Sequence, residues 1–137
     1  MNILLDTNII LDVLLKRSPF YIEALKIFEL AEADKINGFI SATAFTDIYY
    51  LVRKVVGNKN VQKILRQLTA IFTILAVAEP EILNALDLQW KDFEDAVQYT
   101  TALGAQMDGI VSRNKQDYPD SKVPLYEPAE FLQKIIE

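Results

Sequence analysis

The chain has 137 residues, 51% of them apolar, with no His, no Cys, 4 Gly and 5 Pro, and a formal net charge of −5. This length fits one domain with a substantial core, and the composition excludes a disordered or low-complexity protein. The missing His and Cys remove imidazole bases, thiolate nucleophiles and zinc sites built from N and S ligands. The acidic balance argues against loose binding to nucleic acid through a basic surface, unless the negative charge is gathered at a cation site.

No apolar run approaches the ~20 residues that span a bilayer. The start, Met1-Asn2-Ile3-Leu4-Leu5-Asp6, lacks the charged n-region and small-residue cleavage site of a signal peptide. A soluble cytoplasmic protein with no membrane partner is the expectation.

Residues 2–5 read as a short buried strand ending at Asp6. Thr7 or Asn8 can cap a following helix that carries Ile10, Leu11 and Leu14. Ser18-Pro19 opens a second helix, with Ala24, Leu25, Ile27, Phe28 and Ala31 on its inner face. Asn37-Gly38 reads as a turn and Phe39-Ile40 as a strand. Ser41 begins a long helix with Phe45, Ile48, Tyr49, Val52, Val55 and Val56 on one stripe, ended by Gly57-Asn58. Val61 to Leu68 form the inward part of the next helix, and the β-branched run Ile71 to Val77 is the clearest strand.

Pro80 starts a helix to about Leu88, and Asp92 another that ends near Gly104. Gly109–Ser112 and Val123–Tyr126 are strands, and Pro128 begins a last helix. Short strands alternating with helices predict an α/β protein whose parallel sheet is covered on both faces. No repeat or linker interrupts residues 1–137, so a single domain is expected.

In such a sheet ligands sit beyond the carboxyl ends of the strands. Asp6 follows the first strand directly, and Asn114 and Asp117 follow the Gly109–Ser112 strand. Asp6 is not needed as a cap, because Thr7 and Asn8 can serve, so it is a candidate ligand. Asp47 lies inside a helix, where Asp has poor propensity, on a face with Thr43, Tyr50 and Lys54. Its bland reading is a solvated polar face. Asp92 suits an N-cap, whereas Asp95 borders the Ala96, Val97, Thr100 and Leu103 face that must pack inward. Glu94 points away from both and is ranked below them.

Asn114 and Asp117 are candidates of equal standing. Clustered carboxylates are ligands for hard cations, so Asp6, Asp95, Asp92, Asp47 and Asp117 are the candidate ligands of Mg²⁺ or Mn²⁺. Arg113 or Lys115 can steady phosphate charge. Phe45, Tyr49, Phe72 and Phe93 are assigned to the core.

Four segments carry a family resemblance: Leu5–Asp12, Ile40–Ile48, Asp92–Gln98 and Val111–Tyr118. In order and spacing they resemble the PIN-domain proteins, specifically the VapC-type ribonuclease toxins of prokaryotic toxin–antitoxin pairs. The resemblance implies a three-layer α/β/α fold with a short, mainly parallel sheet. It also implies a Mg²⁺- or Mn²⁺-dependent endoribonuclease in which Asp6, Asp47, Asp95 and the Asn114/Asp117 loop occupy the acidic positions. Single-stranded or loop RNA is the expected substrate. A small antitoxin protein, with an Arg or Lys entering the acidic cleft, is the expected brake, and the resemblance and apolar content together suggest a homodimer.

Two positions depart from the family pattern. Asp47 stands where Glu is usual, and the neutral Asn114 where Asp is frequent. Those departures support an alternative, a catalytically degenerate PIN domain acting as a binding or scaffold module. A receiver-type phosphate-signalling domain fits worse, since an adjacent acidic pair and a Lys after a late strand are missing.

Overall fold

The structure, a computed structural model, describes residues 1–136. Strand β1 (Asn2–Leu5) leads through helix α1 (Thr7–Leu14) and α2 (Tyr21–Glu32) to β2 (Asn37–Ser41). Helices α3 (Ala42–Val56) and α4 (Asn58–Ile71) precede β3 (Thr73–Leu75), and α5 (Glu79–Leu88) and α6 (Phe93–Gly104) precede β4 (Gly109–Val111). A 3-10 turn at Lys115–Asp117, strand β5 (Leu125–Tyr126) and α7 (Pro128–Ile136) follow. The five strands form one sheet in the order β3-β2-β1-β4-β5, with every neighbouring pair parallel.

Side chains alternate across a strand with period two, and β1 uses this to serve two cores. Ile3 and Leu5 join a large cluster with Ile9, Ile27, Ile48, Val61 and Phe131, drawn from α1, α2, α3, α4 and α7. Leu4 points the other way, into a cluster with Ile110, Tyr99 and Tyr118. Helices α5 and α6 pack on each other through Ala85, Ala96 and Val97. The result is the three-layer α/β/α arrangement, with β1 fully covered on both faces. Each Leu or Ile buried in this strand contributes about 1.5–3 kcal/mol relative to exposure.

From β1 the chain builds outward through β2 to β3, then returns to the other flank of β1 with β4 and β5. The switch falls between β1 and β4, where Leu5 pairs with Val111. Loops leaving those two strands must part in opposite directions, and the parting opens a crevice at the carboxyl edge. No helix is long and apolar enough to cross a membrane among the described residues.

The structure revises several local expectations. Asn37-Gly38 is not a turn but the start of β2. A Cβ on Gly38 would lie 2.5 Å from the Phe72 ring, so glycine is there to admit that ring. The β-branched run from Ile71 yields only Thr73–Leu75 as strand, because the amphipathic repeat of Val61, Leu65 and Leu68 carries α4 on to Ile71. The residue before α1 is Asp6 itself, and neither Thr7 nor Asn8 caps the helix.

Phe93 is 44% exposed rather than in the core. Val61, Leu65 and Leu68 of α4 are buried in the core, and exposed apolar side chains include Tyr50, Leu51 and Val55 on α3, Leu83 and Leu86 on α5, and Phe20 and Ile22.

Candidate active site

Asp6 ends β1 at the switch point and is held by three donors from three other segments. Gln98 Nε2 of α6 donates to Oδ1 at 2.8 Å. Ser112 Oγ, just past β4, donates to Oδ2 at 2.7 Å, and Tyr118 OH donates to the same oxygen at 3.0 Å. These partners are themselves oriented. The Gln98 carbonyl accepts from Ser41 Oγ, which caps α3 by accepting from Ala44 N–H. Ser112 Oγ accepts the Asn114 N–H at 3.0 Å. With both oxygens engaged by these donors, Asp6 makes no side-chain cap bond to α1.

Around Asp6 lies a cleft of about 220 Å³. Asp47 and Thr43 from α3, Asp92, Glu94 and Asp95 from the start of α6, and Asn114 and Asp117 from the loop after β4 all line it. All five carboxylates expected to bind a cation, and Asn114, therefore reach one crevice. Asp92 also serves the bland role: its Oδ1 accepts the Asp95 N–H at 3.1 Å and caps α6.

Burial and crowding set the electrostatics. Desolvation lifts the Asp6 carboxyl above its usual range despite hydrogen bonds from Ser112 and Tyr118 that favour the anion. Asp95 is pushed up to about 7, first by desolvation and then by the charges of Asp6, Asp92, Asp117 and Glu94. Glu94 is raised by desolvation and by Asp47, whose carboxyl faces it closely enough to share a hydrogen bond. Burial pushes the Tyr118 phenol well up, so it stays a neutral donor to Asp6.

Two expected phosphate contacts are committed elsewhere. Arg113 turns away from the cleft, donating Nε to Asp12 Oδ2 at 2.7 Å and Nη2 to Asp12 Oδ1 at 3.2 Å. Lys115 pairs with Glu130 at 2.9 Å. Among the described residues the cation that lines the cleft is Arg17, from the turn after α1, which no sequence pattern marks. Glu94, ranked low, is in the cleft beside Asp47. Gln98 was also missed, although it sits three residues after Asp95 and so on the same helical face.

As the side chains stand, no three acidic groups are close enough to wrap one ion among the described residues. The donor set nevertheless suits a hard cation. It is all oxygen, its carboxyls are raised by desolvation and then by mutual repulsion, which a positive charge would relieve, and Asn8, which lines the cleft, carries a buried Oδ1 with no hydrogen-bond partner. Asp6, Asp47, Glu94 and Asp95 are the acids of this cleft that would hold such an ion.

The raised Asp95 has a stability consequence. In the unfolded chain it titrates near ~3.9, whereas in the fold it keeps its proton to about 7. Between those values the native state binds more protons, so stability is greatest at the acid end and declines as pH rises through 7. Asp6 and Glu94 act in the same direction. Solvent screening of half-buried Asp95 reduces its share to about 1–2 kcal/mol. In EDTA the unfolding midpoint should be higher at pH 5.5 than at pH 8, and Asp95→Asn should flatten the difference. A midpoint that climbs with pH would contradict the crowding of these acids.

A parallel α/β/α sheet with an all-oxygen acidic crevice at its switch point is the class that fold and site define. A family model described as PIN domain matches residues 2–116, and the chain belongs to the PIN domain family. Ribonuclease VapC1 from Aquifex aeolicus (strain VF5) is 26% identical over 139 residues, covering 97% of this chain and 94% of that protein. Among solved structures, a toxin–antitoxin complex from Klebsiella pneumoniae has a chain that superposes with a TM-score of 0.68 at 21% identity, covering 91% of this chain and 96% of that one. VapC20 from Mycobacterium tuberculosis, described as a sarcin–ricin loop cleaving toxin, superposes with a TM-score of 0.64 at 11% identity over 79% of this chain and 86% of that one. These two likenesses bear on the fold.

Proposed function

We propose that this protein is a divalent-cation-dependent endoribonuclease, the toxin of a toxin–antitoxin pair, that cuts single-stranded or loop RNA. The observation that carries the reading is Asp6, a buried carboxylate fixed by Gln98, Ser112 and Tyr118 at the floor of a crevice ringed by further acids. A chain without His or Cys needs another source of an active nucleophile, and the ribonuclease relative points the same way.

Asp6, Asp95 and the Asp47–Glu94 pair are the residues to hold Mg²⁺ or Mn²⁺, with Asp92 and Asp117 at the rim. When bound there, such an ion supplies a water of lowered pKa and neutralises charge on phosphate. The chain's own contribution is to fix the geometry. Gln98, Ser112 and Tyr118 hold both oxygens of Asp6, Asn8 and Asn114 offer amide groups to orient a water, and Arg17 stands at the cleft to meet a phosphate oxygen. Glu94 bears on the scaffold alternative, because a longer acid beside Asp47 supplies the reach that Asp47 lacks.

A small partner protein with an Arg or Lys for the cleft would inhibit by replacing the cation's charge, and pairing of two copies through the exposed stripe of α3 belongs to the same proposal. The test is a scan of structured and unstructured RNAs with Mg²⁺, with Mn²⁺ and with EDTA. Endonucleolytic products in either metal and none in EDTA are expected. A folded, metal-supplied protein that cuts no RNA would return the reading to the scaffold module.

A further inference from the structure

The acidic cleft, at about 220 Å³, is lined mainly by charged and polar side chains, which suits a phosphate group and its ions better than the face of a base. A second, larger depression of about 810 Å³ opens from its rim. The two share Asp92, Glu94 and Asp117 as a common wall. Beyond that wall the chemistry changes: Trp90, Lys91, Phe93, Gln116 and Pro119 supply apolar surface, one ammonium and one amide.

Its two aromatic residues are in different states. Trp90 is anchored, stacked on Tyr99 with ring centroids 5.0 Å apart and meeting Tyr118 edge-on at 6.1 Å. Through Tyr118 that floor is linked to Asp6, so groove and cleft share a continuous set of contacts. Phe93 is the first residue of α6 and lies between the acids Asp92 and Glu94, with 44% of its surface exposed. An exposed ring on an otherwise acidic rim contributes little to the fold. Any base has a π-face to lay on it, and an ammonium two residues away can meet the neighbouring phosphate.

We propose that this groove receives the nucleotide next to the scissile phosphate, with its base stacked on Phe93 and its backbone met by Lys91. The inference rests on the nuclease reading above and deepens it. A stacked base must first leave its own helix, so the groove selects unpaired RNA over duplex and does so with little regard to base identity. Phe93 is then a substrate-binding residue outside the carboxylate set.

The test uses the full chain with Mg²⁺ or Mn²⁺ and a fluorogenic single-stranded oligoribonucleotide. Phe93→Ala should raise KM roughly tenfold with kcat little changed, and its unfolding midpoint should match the wild type. Phe93→Trp should restore KM, which a merely structural role would not predict. Lys91→Gln should raise KM and weaken its salt dependence. If the wild type cleaves and Phe93→Ala leaves KM within twofold, the groove assignment is overturned and the nuclease reading stands. If the wild type cleaves no RNA, the nuclease reading falls and takes the groove's nucleotide with it.

Discussion

Replacing Asp6 with Asn should lower RNA cleavage on the order of 10³-fold in saturating metal, because a lost charge at the ion's main anchor removes several kcal/mol of transition-state stabilisation. The fold should survive it. An Asn amide at this position meets donors on both sides, since Gln98 Nε2, Ser112 Oγ and Tyr118 OH all point at the carboxylate. One side of the network can adapt by a flip of the Gln98 amide, which turns its NH₂ toward the Ser41 hydroxyl. The other adapts by rotation of the two hydroxyls, which can accept as well as donate.

The substitution also removes a carboxylate that burial disfavours as an anion, so the metal-free protein should unfold at the same temperature or higher at pH 8. A stable variant that loses cleavage and metal-induced stabilisation together separates the chemical role from the structural one. Asp6→Asn cleaving within tenfold of the wild type would remove Asp6 from the mechanism.

How far this site could be read beforehand depended on whether a residue's role is local. The meeting of Asp6, Asp95 and Asp117 in one cleft is legible because strand-end position and helix-face position follow from a few neighbouring residues. The five-stranded parallel sheet was legible from the same alternation of short strands and amphipathic helices. Roles set by distant partners were not. Arg113 looks like a phosphate contact until Asp12, 101 residues away, takes its fork. Tyr118 packs in the core, and only the fold shows its hydroxyl on Asp6, 112 residues away.

Helical angle alone points Glu94 away from the other acids, but α3 brings Asp47 to that side of α6. The boundaries of β3 differ from the sequence expectation for a related reason: a β-branched run carries strand propensity, but tertiary packing of α4 takes its first residue.

Loss of Arg113 should be the most destabilising single change near the site. Asp12 is fully buried on α1, and Arg113 meets it with two hydrogen bonds while its guanidinium lies 3.8 Å over the centre of the Phe20 ring. The only other cation near it is Arg17, at 4.0 Å from Oδ1 among the described residues. Arg113→Ala leaves a carboxylate inside an apolar layer with that single weak partner, which costs about 3 kcal/mol. Arg113→Lys should recover little, because an ammonium cannot match a bidentate fork or stack on Phe20.

The effect should also reach activity, since Arg113 follows Ser112 directly and its tether holds the loop from which Ser112 donates to Asp6. Urea unfolding at neutral pH measures the cost. The double variant Asp12→Leu with Arg113→Met should regain most of it, as an apolar pair of similar volume removes both the buried charge and its need for a partner. Arg113→Ala within 1 kcal/mol of the wild type, an outcome set against the ~3–5 kcal/mol of broken buried pairs, would show that Arg17 or water can take over Asp12. The double variant would then have nothing to restore.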